Sequence, residues 1–280
     1  MAAGAIGSPQ LLLLSGIGPA EQLRKHNLPL LYDLPGVGAN LQDHPVVPVA
    51  YECTQPISLA SAESLPNVLR FLFRKNGPLT SNVAEGGGFV KIDPASPTPD
   101  LQYHFGPAFF VNHGLEPVKD HGFTLGPTLV RPRSRGRISL RSSNPLDAPA
   151  IVANYLADAR DMTVLVEGIR LARRIAQAAA FNPYRGSERK PGKEIQSDDA
   201  LQAYIRQTAE TLYHPVGTCK MGPTSDPMAV VDSELRVRGV EHLRVVDASI
   251  MPTVPGGNTH APTIMVAEKA ADMVRAGRGI

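Results

Sequence analysis

The feature that most limits the possible folds is a change of hydrophobic period along the chain. From about Val46 to Arg141 the apolar residues fall in short β-type runs, at 88–92, 101–105, 123–130 and 137–140, separated by Gly, Pro and Asn. The stretch Asp93-Pro94-Ala95-Ser96-Pro97-Thr98-Pro99 interrupts them as a loop, because repeated proline removes ladder donors. From Asp158 to Ala179 the period becomes helical, with Met162, Leu165, Val166, Ile169, Ala172 and Ile175 on one face. Asp158 and Asp161 stand early in that segment and Arg170, Arg173 and Arg174 late, which suits the helix macrodipole. A second helix is expected from Ser197 to about Gln207. A last one is expected from Pro262 to about Arg275, burying Ile264, Ala267, Ala271 and Val274. The pattern predicts an α/β (α+β) protein with an antiparallel sheet.

The first 45 residues read differently. Met1-Ala2-Ala3-Gly4-Ala5 has the look of a strand end turning into a short helix at Pro9 to Leu14, with Ser8 as N-cap and Pro9 at the first helical position. A second short helix is expected from Pro19, followed by an extended loop.

Composition excludes several classes. The net charge of +2 gives no electrostatic case for nucleic acid. The chain has no Trp and only 5% aromatic residues, so no stacking platform is indicated. Cys53 and Cys219 are too few for a disulfide framework or a tetrahedral zinc site, so no metal is expected. A reducing, cytoplasmic compartment is the expectation. The longest pure Leu run, Leu11 to Leu14, is too short for a membrane span or signal core, which leaves peripheral contact with a membrane open.

The residues that carry chemistry lie near the C-terminus. His214 sits in Tyr213-His214-Pro215-Val216-Gly217-Thr218-Cys219 and His260 in Gly257-Asn258-Thr259-His260-Ala261-Pro262-Thr263. Between them Leu243-Arg244-Val245-Val246-Asp247-Ala248-Ser249 ends an apolar run in an acid. Imidazole is the side chain whose ordinary pKa lies nearest neutrality, so such a pair suits removal of a hydroxyl proton. Elsewhere the bland readings prevail. Arg131, Arg133, Arg135, Arg137 and Arg141, spaced by two along a β-type run, form a solvated strand face rather than a nucleic-acid patch. Cys219 reads as small core packing, and His26, His104, His113, His121 and His242 lack metal-ligand spacing. Glu85, before the run at 88–92, is either a turn acid or an acid facing a substrate cavity.

Several blocks, in order along the chain, resemble the glucose–methanol–choline (GMC) family of flavoprotein oxidoreductases. They are residues 4–18, Leu34-Pro35-Gly36-Val37-Gly38-Ala39-Asn40-Leu41-Gln42-Asp43-His44-Pro45, the His214 segment, and the Asp247 and His260 segments. The resemblance implies FAD as cofactor and oxidation of a choline-like or other primary or secondary alcohol to a carbonyl. It implies His214 as the base and His260 as a partner that positions the substrate oxygen. It implies flavin contacts from Asn40, Asp247, Ala248, Asn258, Thr259, Pro262 and Thr263, while the roles of Asp43 and His44 stay open. It further implies a partial FAD-binding domain at 1–45, a substrate-binding domain at 46–210, and a return to the FAD domain at 211–280. The family's opening Gly-x-Gly-x-x-Gly of a dinucleotide-binding βαβ unit does not occur. The expectation is therefore the C-terminal part of such an enzyme, which by itself does not hold FAD. A separate N-terminal half, self-association, and an electron acceptor such as oxygen, a quinone or another carrier are the partners left open, as is a non-catalytic fragment.

Overall fold

A computed structural model describes residues 1–110, 113, 118 and 120–277. The chain divides into two compact units, the first made of residues 1–44, 131–158 and 213–280, the second of residues 45–130 and 159–212. The chain passes from one unit to the other after residues 44, 130, 158 and 212. Residues 131–158, expected within the middle segment, return to the first unit.

The second unit is built on an antiparallel sheet of seven strands. Its strands are β3 (Pro45–Val46), β4 (Val49–Cys53), β5 (Gly86–Val90), β6 (Leu101–Gly106), β7 (Gly122–Leu129), β10 (Arg185–Lys190) and β11 (Glu210–Thr211). β7 is central: it pairs with β3 and β4 and with β6, and all of its residues are buried. Helix α4 (Ala159–Ala176) packs on it, burying Met162, Leu165, Val166, Ile169 and Ala172 as their spacing predicts. Gly168 permits that approach, because a Cβ there would press on Leu101 and Pro127 at 3.0 Å. Helix α5 (Asp198–Thr208) starts at a capping Ser197, whose Oγ accepts from the Ala200 N–H at 3.2 Å. Helix α3 (Leu65–Arg74) lies on this unit and buries none of its residues.

The first unit contains α1 (Gly4–Leu14), β1 (Ile17–Gly18), α2 (Ala20–Lys25), β2 (Tyr32–Asp33), the hairpin β8 (Arg137–Ser139) and β9 (Ala150–Val152), and α6 (His260–Gly277). Its core brings Leu12, Leu13, Leu23, Val37, Val216, Cys219, Val245 and Ile250 together. Arg131, Arg133, Arg135, Arg137 and Arg141 are all exposed.

Two local expectations are corrected. Helix α1 starts at Gly4, so Ser8 and Pro9 lie inside it and Ser8 is no N-cap. Pro9 is accommodated because the Ala5 carbonyl, which an N–H at position 9 would have bonded, accepts the buried Thr218 hydroxyl at 2.6 Å. In α6 the buried residues are Val266 and Ala270, with Met273 packed beside them, whereas Ile264, Ala267 and Ala271 are exposed. Apolar residues surround most of that helix, so period alone could not choose its inner face.

Candidate active site

The site is assembled in the first unit from segments far apart in sequence. Asn40 has a positive φ of 60° and opens an extended run in which Gln42 exchanges two backbone hydrogen bonds with Val216, at 3.0 and 2.9 Å. Gly217, with φ 92°, is needed opposite, since a Cβ there would lie 2.6 Å from the Asn40 carbonyl oxygen. The same segment continues alongside the turn after Asp247: the N–H of Gly217 donates to the Ala248 carbonyl, and that of Cys219 to the Ser249 carbonyl. The His214 and Asp247 blocks are thus brought together.

At the end of the run Asp43 acts as a clamp. Its Oδ1 accepts the backbone N–H of His44 at 2.8 Å and of His214 at 2.9 Å, while Oδ2 accepts the Tyr155 hydroxyl at 2.5 Å. With both histidine backbones fixed on one carboxylate oxygen, the rings meet edge to face, Nδ1 to Nδ1 at 2.9 Å. His44 is fully buried and His214 nearly so. Tyr213 (φ 62°), Asn154 (φ 56°) and Leu156 (φ 62°) hold left-handed backbone beside His214 and Tyr155, a conformation that surrounding structure must enforce.

This geometry fixes the proton inventory. Two Nδ1 atoms at hydrogen-bond distance share one hydrogen, so one ring donates and the other accepts. When His214 is the donor, its Nε2 carries a lone pair and is a base. Proton uptake there leaves an imidazolium whose Nδ1–H stays bonded to His44. Burial pushes the His214 pKa below the ordinary imidazole value, and the Asp43 charge opposes that shift only in part. His214 is therefore neutral at neutral pH.

The remaining expected residues are placed as follows. The Asn40 side chain is spent on structure, its Nδ2 donating to the carbonyls of Gly217 and Pro252 and its Oδ1 accepting from Gln42 and Arg135. Asp247 is buried, and its oxygens accept from the Ser249 N–H at 2.8 Å, the Gly4 N–H at 3.1 Å and the Ser8 hydroxyl at 2.5 Å. Ala248 opens the 3-10 turn Ala248–Ile250. Thr259 accepts, through its carbonyl, both the N–H and the hydroxyl of Thr263. Pro262 is the third residue of α6, and Asn258 and His260 are exposed. Among the described residues His214 meets His44 and makes no hydrogen bond or ring contact with His260. Cys219 is core, its thiol pushed up to about 12 by burial. His44 and Tyr155 were not assigned roles from sequence. The only signal for His44 was its place in the block ending Asp43-His44-Pro45, and none pointed to Tyr155.

A family model described as GMC oxidoreductase matches residues 132–267, and a second of the same description matches residues 1–46. The chain belongs to the GMC oxidoreductase family. It is similar to mouse mitochondrial choline dehydrogenase, 47% identical over 279 residues that make up 98% of this chain and 47% of that protein. It is similar also to the alcohol dehydrogenase [acceptor] of Pseudomonas putida, at 47% identity over 97% of this chain and 50% of the relative. Among solved structures, the FAD-containing formate oxidase of Aspergillus oryzae RIB40 superposes with a TM-score of 0.90 at 28% identity, over 99% of this chain and 53% of that one. The GMC chain spans about half the length of the curated relatives it matches.

Proposed function

We propose that this chain carries the alcohol-oxidising centre of an FAD-dependent oxidoreductase acting on CH–OH groups, with a choline-like or other primary or secondary alcohol as substrate. The observation that carries the reading is the buried His44–His214 pair, held by Asp43, with His214 kept neutral by burial. In this scheme His214 Nε2 takes the hydroxyl proton of the substrate, and the Nδ1 contact to His44 stabilises the resulting imidazolium. His260 supplies a second polar group for the substrate oxygen. The first unit is the cofactor-facing part and the second the substrate-binding part.

The residues present suit a flavin. Helix α6 begins at His260, so its opening N–H groups have no acceptor within the helix, and Pro262 falls where a missing donor costs nothing. Ala248, Asn258, Thr259 and Thr263 add polar backbone and hydroxyl groups on the two turns concerned. FAD, when bound, supplies the acceptor for the hydride that leaves the substrate carbon.

The test is anaerobic mixing of alcohol with FAD-loaded protein, the chain being co-produced with a family segment carrying the dinucleotide-binding unit, while flavin absorbance is followed. His214→Ala is expected to slow bleaching by ~10²–10⁴-fold, the usual worth of a general base, and His260→Asn by less, because Asn retains a hydrogen-bond donor. Bleaching by His214→Ala at the rate of the parent would remove the assigned base.

A further inference from the structure

Helix α3 breaks the rule by which surface helices settle. An amphipathic helix of a globular protein turns its apolar stripe to the core and its charges to water. In α3 the apolar residues Leu65, Leu69, Leu72 and Phe73 follow the spacing i, i+4, i+7, i+8 and so share one face, yet every one is exposed, Leu65 at 69% and Phe73 at 83%. The side toward the protein is made of Asn67, Val68 and Phe71, which are half-buried, and Asn67 is fastened there by donating to the Ser61 carbonyl at 2.9 Å. The apolar face is thus turned outward.

The charges within the helix and at its C-cap are all of one sign. Residues 64–84 contain Arg70, Arg74 and Lys75 and no Asp or Glu. Arg70 donates to the Asn76 side chain at 2.7 Å, and the Lys75 ammonium lies 5.2 Å from the centre of the Phe71 ring. None of the three has an ion-pair partner among the described residues. An outward apolar stripe with a cationic flank is the composition of helices that lie in the plane of a membrane interface.

We propose that α3 is a membrane-interface helix that seats this protein on an anionic lipid surface, with Leu65, Leu69, Leu72 and Phe73 in the acyl boundary and Arg70, Arg74 and Lys75 among the headgroups. Charge complementarity selects this occupant. A second copy docking through the same face would bring two cationic rims together, whereas an anionic bilayer neutralises them. No helix among the described residues is long and apolar enough to cross a membrane, so the contact is with the surface. The proposal is independent of the alcohol chemistry and needs no bound cofactor.

The absence of Trp from the chain makes the test direct. Phe73→Trp places a single indole at the most exposed position of the stripe. Its emission should move to shorter wavelength with vesicles of phosphatidylcholine and phosphatidylglycerol, and much less with phosphatidylcholine alone. Raising the salt from about 0.05 to about 0.5 M should weaken the response, as screening requires. Leu69→Ser/Leu72→Ser in the same background should cut the vesicle-bound fraction in flotation at least about tenfold, with the circular dichroism spectrum unchanged. Three results would overturn the proposal: no emission shift with either vesicle, vesicle binding that survives the double serine variant, or a lipid-free dimer by light scattering that the double serine variant converts to monomer.

Discussion

Asp247→Asn separates a structural from a purely cofactor-directed role for this acid. Oδ2 accepts the Gly4 N–H at 3.1 Å and the buried Ser8 hydroxyl at 2.5 Å, while Oδ1 accepts the Ser249 N–H at 2.8 Å. The carboxylate therefore caps α1 from the far end of the chain and closes the 3-10 turn that follows it. An amide in its place must turn an NH₂ toward either the Gly4 or the Ser249 N–H, and neither backbone donor can rotate away. Stranding one such donor costs about 1–3 kcal/mol, and loss of charge assistance in the remaining bonds adds about 1 kcal/mol. Removing negative charge from the N-terminus of α1 adds a few tenths more. A total near 3 kcal/mol corresponds to a melting point lower by roughly 6–12 °C for a unit of this size. The measurement is a thermal melt without FAD, accompanied by amide exchange at Gly4 and Ser249, both of which should lose protection. A variant that melts within about 2 °C of the parent and keeps those amides protected would show that the clamp contributes little.

Thr218→Val should cost roughly 1–3 kcal/mol in chemical denaturation, because it strands the buried Ala5 carbonyl. Adding Pro9→Ala restores an N–H at the position that bonds this carbonyl, so the double variant should recover part of the loss, and a further loss would contradict the reading. For His214 the sign follows from its lowered pKa: the unfolded chain binds the proton more tightly, so stability rises with pH. The contribution is complete above about pH 6.5, the ordinary imidazole value, and is lost as the pH falls through the folded value. Denaturation midpoints across that window should fall more steeply for the parent than for His214→Asn, and equal slopes would count against it. In ¹⁵N-histidine spectra at neutral pH the His44–His214 pair should show one protonated and one bare Nδ1, and two protonated Nδ1 atoms would contradict the shared hydrogen.

What could be read from the sequence was whatever neighbours in the chain decide. β6 and β7 fall within a residue of their expected limits, α4 buries the face its spacing names, and Ser197 caps α5, because alternation, period and capping are local. What could not be read depended on remote partners. The start of α1 is set by Asp247, 243 residues from Gly4, and the tolerance of Pro9 by Thr218. The nearest partner of His214 is His44, 170 residues away, and no period or spacing links them.

The arrangement around Asp43 shows why the site needs so long a reach. A base must be neutral, fixed in direction and able to bear charge for an instant, and no one neighbouring residue supplies all three. Burial keeps His214 neutral. Direction comes from Asp43, which holds the His214 backbone N–H and is itself held by Tyr155. In the proposed reaction the capacity to carry charge comes from His44, whose ring meets His214 through Nδ1 and leaves Nε2 for the proton. The groups that supply these functions come from three segments, 40–44, 154–156 and 213–217. A fold whose chain passes three times through the same unit is what lets them converge.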